Sequence, residues 1–135
     1  MDSLFFVEIE NRVQGYGTRL KELHWSAPSI SIHKLIDDFC DEFASFNDTM
    51  IEYLIPLHGT IRPGELNPVL PVELEFESLL ESIRGMLSQI KKQIGDSMMY
   101  SGISSLVDDF YITVNKNIYL TQIGKGKFVD NNGED

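Results

Sequence analysis

Histidine and carboxylate side chains at helical spacing are the residues of this sequence that could do chemistry. His24 and His33 flank Pro28, Asp37 follows His33 by four positions, and Asp48 precedes Glu52 by four. At about 100° per residue, with His33 at zero, Asp37 falls near 40°, Asp48 near 60° and Glu52 near 100°, so all four share one stripe of one helix. Imidazole and carboxylate together suit Fe2+, with positions left open for an oxidant, and the same donors accept Zn2+, Mn2+ or Co2+.

Length along the helix decides how such a site must be built. His33 and Asp48 are 15 residues apart, about 22 Å along a helix axis, whereas ligand bonds are only about 2 Å long. One ion cannot touch both ends. Two copies of the helix packed antiparallel about a twofold axis would set His33 and Asp37 of one chain against Asp48 and Glu52 of the other, with the axis close to Asp41–Phe43. The half-sites would be nitrogen-rich on one chain and all-carboxylate on the other, so one tight and one looser ion are expected. A short turn around Pro28 would bring His24 in as a third ligand. Cys40, Ala44, Ile51 and Ile55 interleave with the ligands, and small Cys40 and Ala44 suit the closest approach of two helices.

Blander readings stand beside these. Asp37, Asp38, Asp41, Glu42, Asp48 and Glu52 also read as a solvated acidic face, and the histidine pair is what favours ligation. Trp25 is expected to pack, Cys40 to be a small interface residue, and His58 to be exposed in a Pro/Gly-flanked loop. Asp108 and Asp109 read as a solvated face or as the lining of an acidic path. Met98 and Met99 read as core or interface.

The elements that must position these residues are helical. The sequence has 135 residues, 42% hydrophobic and 24% charged, with Lys plus Arg at 11 against Asp plus Glu at 21 for a net charge of −10. That balance argues against a nucleic-acid or anionic-membrane partner, because neutralising phosphates needs clustered cations. A single cysteine excludes an internal disulfide framework, and no run approaches the roughly 18 apolar residues of a membrane span. With no leader-like start, a cytoplasmic chain is expected.

Apolar spacing of three and four predicts four helices: about Asp2–Trp25, Ser29–Leu57, Pro71–Ile94 and Asp96–Ile123. The expected stripes are Leu4 or Phe5, Ile9, Val13, Tyr16, Leu20 and Leu23 on the first helix. On the second they are Ile32, Ile36, Phe39, Phe43, Phe46, Met50, Leu54 and Leu57. The third carries Phe76, Leu79 or Leu80, Ile83, Met86 or Leu87, Ile90 and Ile94, and the fourth Met99, Ile103, Leu106, Phe110, Val114, Ile118 and Thr121. Pro71 and the glutamates after it suit a first helical turn, and Gly95 a stop. The segment Pro56–Pro71 could reach about 50 Å if extended. The expectation is an all-α, ferritin-like four-helix bundle over residues 1–123 with one long crossover between the second and third helices, and a flexible polar tail over 124–135. No Glu-x-x-His occurs, and the third and fourth helices contain no histidine, which excludes the internal di-iron centre of such bundles.

The sequence resembles the Dps family (DNA-protection-during-starvation proteins, or miniferritins). The resemblance lies in Leu23-His24-Trp25, His33 with Asp37, and Asp48-x-x-x-Glu52, which match that family's His-Trp, His-x-x-x-Asp and Asp-x-x-x-Glu ferroxidase ligands. It implies His24, His33, Asp37, Asp48 and Glu52 as the residues that bind and oxidise Fe2+, with hydrogen peroxide or O2. It also implies di-metal centres at twofold interfaces and a dodecameric shell that stores the Fe3+ product. Without a Lys-rich arm before the first helix, and with a net acidic tail, DNA binding is not expected. The alternative is a non-catalytic structural or interaction protein of the same fold with a vestigial or non-iron site.

Overall fold

The computed structural model describes residues 3–124, whose regular structure is entirely helical. Helix α1 spans Ser3–Trp25, α2 Ile30–His58, α3 Phe76–Ile94 and α4 Ser101–Gly124, the last preceded by a 3-10 turn at Met98–Tyr100. Ser29 caps α2: its hydroxyl accepts from the Ile32 N–H at 3.2 Å, satisfying a donor that the first helical turn leaves orphaned. Gly59 and Gly95 end α2 and α3 with φ of +84° and +57°, a left-handed region that glycine enters without a Cβ clash. Among the described residues no helix is long and apolar enough to cross a membrane.

Pairwise contacts fix the direction of each helix. Glu10 meets Asn47, Tyr16 meets Phe43 and His24 meets His33, so α1 and α2 run antiparallel. Tyr16 shares a 2.7 Å hydrogen bond with Ser82, and Arg12 donates to Gln89, so α3 runs antiparallel to α1. Arg84 reaches Asn115, Lys91 reaches Asp108 and Gln122 reaches Glu77, which sets α4 antiparallel to α3. Phe39, Phe43 and Phe46 of α2 all meet Phe110 of α4, the tightest pair stacking at 4.4 Å between ring centroids. Each helix thus buries one apolar stripe against antiparallel neighbours in a common core. The order is up, down, down, up, and the two successive down strokes require residues 59–75 to return along the molecule.

That return is laid directly on α1. The Val69 N–H donates to the Asn11 carbonyl at 2.9 Å, the Asn67 N–H to Asn11 Oδ1 at 2.8 Å, and Arg19 donates to the Glu73 carbonyl. Gly15 makes the contact possible, since a Cβ there would sit 1.7 Å from the Val69 carbonyl oxygen. Because this segment is held extended, α3 starts at Phe76 behind Glu75 and not at the expected Pro71.

Other departures are local. Phe6, not Leu4 or Phe5, fills the start of the α1 stripe, packed against His58 and Tyr100. One turn beyond Leu54 the inward place goes to His58, leaving Leu57 exposed and carrying α2 through Pro56. The 3-10 turn before α4 rotates Tyr100 inward, and Met98 and Met99 outward. Of the polar tail expected over 124–135, Gly124 is the last residue of α4 and the remaining residues lie outside the described residues.

Candidate metal centre

The four residues 26–29 between α1 and α2 bring the two histidines together. Nε2 of His24 lies 2.8 Å from Nε2 of His33, with ring centroids 4.0 Å apart. Nδ1 of His33 lies 3.2 Å from the His24 carbonyl oxygen. A carbonyl can only accept, so Nδ1–H of His33 donates, which puts the lone pair of the neutral ring on Nε2. Nε2–H of His24 then donates to it across the 2.8 Å contact, and an ion held between the two rings would take the place of that proton. Two nitrogens bound at right angles to one ion at about 2.1 Å stand about 3.0 Å apart, close to the observed spacing.

Asp37 joins from one turn along α2, its Oδ1 3.7 Å from Nδ1 of His24. It therefore approaches the opposite nitrogen from the one facing His33. Asp48 and Glu52 are exposed on α2, at the far end of the stripe from His33. Among the described residues no three or more His, Cys, Asp and Glu side chains form a group that could hold a metal ion. Within one chain His24 meets His33 through Nε2 and Asp37 through Nδ1, while Asp48 and Glu52 stand apart from all three.

Between the two ends, a groove of about 640 Å³ runs along α1 and α2, lined in part by Leu20, Trp25, Cys40, Ala44, Asn47 and Asp48. Trp25 is 74% exposed at its edge instead of packed. Cys40 is half-buried there, and burial pushes its thiol pKa up. Ala44 and Ile55 are exposed and Ile51 half-buried, so the ligand stripe is interleaved with apolar surface.

No family model, curated protein or solved structure matches this chain.

Two side chains the sequence analysis did not single out, or placed differently, stand near these features. Glu10 is only 2% exposed and accepts from Asn47 Nδ2 at 3.1 Å, while its Oε1 and the Asn47 Oδ1 have no hydrogen-bond partner. Burial raises its pKa from 4.5 to about 7, against the lowering effect of hydrogen bonds from Asn47 and Gln14, and the nearby charge of Asp48 adds to the rise. Its signal in the sequence was position. Glu10 falls four after Phe6 and three before Val13, on the apolar face. His58, expected exposed, instead stacks on Tyr100 and shares a 2.8 Å hydrogen bond with its hydroxyl. Asp108 is paired with Lys91 at 2.6 Å.

Proposed function

We propose that this chain is a Dps-like ferroxidase of ferritin-like four-helix architecture. In this reading it oxidises Fe2+ at centres shared by two antiparallel copies of α2 and stores the Fe3+ product in an oligomeric shell, a dodecamer by the family resemblance. The observation that carries this reading is the 2.8 Å approach of the two Nε2 atoms, with His33 anchored through Nδ1. The up–down–down–up order with one long return supports the ferritin-like topology.

Fe2+ is the substrate. Two ions give one electron each to hydrogen peroxide, whose O–O bond breaks. With two waters, the products are two FeO(OH) and four protons, which balances atoms and charge. The chain's part is to hold ions and exclude geometries that slow electron loss, without a side-chain nucleophile. His24, His33 and Asp37 supply one half-site, and Asp48 and Glu52 of a second copy supply the other. The net charge of −10 favours cation approach and opposes DNA, and a cytoplasmic setting fits a chain with one cysteine.

The test is an anaerobic Fe2+ load followed by peroxide, read as the ferric absorbance rise, together with the native mass of the assembly. A rise that His33→Ala and Asp48→Asn each abolish is expected, with a mass of at least two chains. An unchanged rise in either variant refutes the assigned residues. The approach of Asp37 to Nδ1 instead of Nε2 of His24 favours a second reading, a structural or interaction protein of this fold that takes no iron. No absorbance rise with the intact chain would select it.

A further inference from the structure

Helices α1 and α3 enclose a cleft of about 380 Å³ that no residue of α2 lines. Phe5 and Ile9 give it an apolar wall, and its charged members are Glu8 and Arg12 of α1 and Lys92 of α3. Glu8 and Arg12 stand four positions apart on one helix, the spacing and order at which opposite charges ordinarily pair. That pair is not made: among the described residues Glu8, Arg12 and Lys92 form no ion pair.

Arg12 is turned to neutral acceptors instead. Its Nη1 donates to Gln89 and its Nη2 to the Tyr16 hydroxyl at 3.2 Å. Having accepted there, the buried Tyr16 has its own proton for Ser82 Oγ, 2.7 Å away. Two of the five guanidinium N–H groups are used in this way and three remain. The cation is therefore held in a set place with its charge unneutralised. Glu8, one helical turn away (about 6 Å along the axis), stays an exposed carboxylate, and exposed Lys92 adds a second cation from across the cleft.

We propose that this cleft binds a free α-amino acid with an apolar side chain. Its carboxylate lies between Arg12 and Lys92, its ammonium on Glu8, and its side chain against Phe5 and Ile9. Such a molecule carries both charges on neighbouring atoms, so it reaches two groups set about 6 Å apart through a hydrogen bond of about 2.8 Å at each end. A simple anion would leave Glu8 facing a like charge, and a simple amine would do the same to Arg12 and Lys92. The cleft has the volume of a small-ligand site. None of its residues belongs to the candidate metal centre, so the inference does not depend on iron chemistry.

The experiment titrates the full chain with leucine, with its deamino acid, which lacks the ammonium, and with its decarboxylated amine, which lacks the carboxylate. Leucine should give saturable NMR shifts at the Arg12 Nε–H and the Gln89 side-chain amide. Either analogue should bind about tenfold more weakly or worse, since each forgoes one charge-assisted contact. Arg12→Gln and Glu8→Gln should each weaken leucine by about tenfold. Glu8→Gln alters an exposed side chain with no ion pair among the described residues, so it carries the test even if Arg12→Gln disturbs the fold, and it should tighten the deamino acid. Absence of saturation with leucine, equal affinity for the deamino acid, or undiminished leucine affinity in Glu8→Gln overturns the proposal.

Discussion

Replacing Glu10 by Gln should stabilise this protein, and by an amount that depends on pH. The carboxyl is 2% exposed and one of its oxygens has no hydrogen-bond partner. Its pKa moves from 4.5 to about 7 on folding, chiefly through burial, so the folded state prefers the neutral acid. Below pH 4.5 both states are protonated and the group costs nothing. Between 4.5 and about 7 the unfolded chain ionises first, and stability falls as pH rises. Above about 7 the full penalty applies, roughly 3 kcal/mol at about 1.4 kcal/mol per tenfold change in proton affinity. Gln keeps an acceptor for Asn47 Nδ2 and never ionises. Urea denaturation of both chains from pH 4 to 8.5 should therefore show a stability difference that is small at pH 4 and grows to roughly 2–3 kcal/mol by pH 8. Every other titrating group is common to the two chains and cancels in that difference. A difference that stays flat across this range would refute the argument from burial.

Two glycines of α1 should behave oppositely. Gly15→Ala drives a methyl into the Val69 carbonyl and should cost about 2 kcal/mol or more in denaturation. Gly17→Ala meets nothing within 4 Å and should gain up to about 1 kcal/mol from helix propensity. Ser29→Ala removes the hydroxyl that caps α2 and should lower stability by about 1 kcal/mol, visible as a Tm lower by several degrees. Phe110→Ala empties the centre of an aromatic cluster with Phe39, Phe43 and Phe46 and should cost about 3–5 kcal/mol, measured by the same urea titration.

The helical interior was legible because its pattern is dense. Ile36, Phe39, Phe43, Phe46, Met50 and Leu54 recur at threes and fours, and all six are buried. The α3 stripe from Phe76 to Ile94 was equally plain. Element ends were less legible, because they depend on tertiary partners that local spacing does not encode. Pro71 carried a helix-start signal that the hydrogen bonds of residues 67–73 to α1 overrode. Met99 and Leu57 lost their inward places to Tyr100 and His58, whose ring contact spans 42 residues of sequence. For the candidate site, the turn around Pro28 was enough to anticipate the contact of His24 with His33, whereas Asp37 approaches the other nitrogen of His24 and the three form no common group. The orphaned oxygen of Glu10 was not legible, since polar character normally argues for the surface and only the helical wheel placed it inside.

The seat that Gly15 offers to Val69 changes what the long connection is. A surface loop of such length ordinarily tolerates trimming or insertion, because nothing depends on its course. Here a bare patch of helix backbone and two amide donors hold residues 67–69 in place. Splicing the connection would strip cover from one flank of the first helix and release the third helix from its anchor. The segment therefore works as a fifth structural member without any regular secondary structure of its own, and the natural places to cut or graft lie elsewhere along the chain.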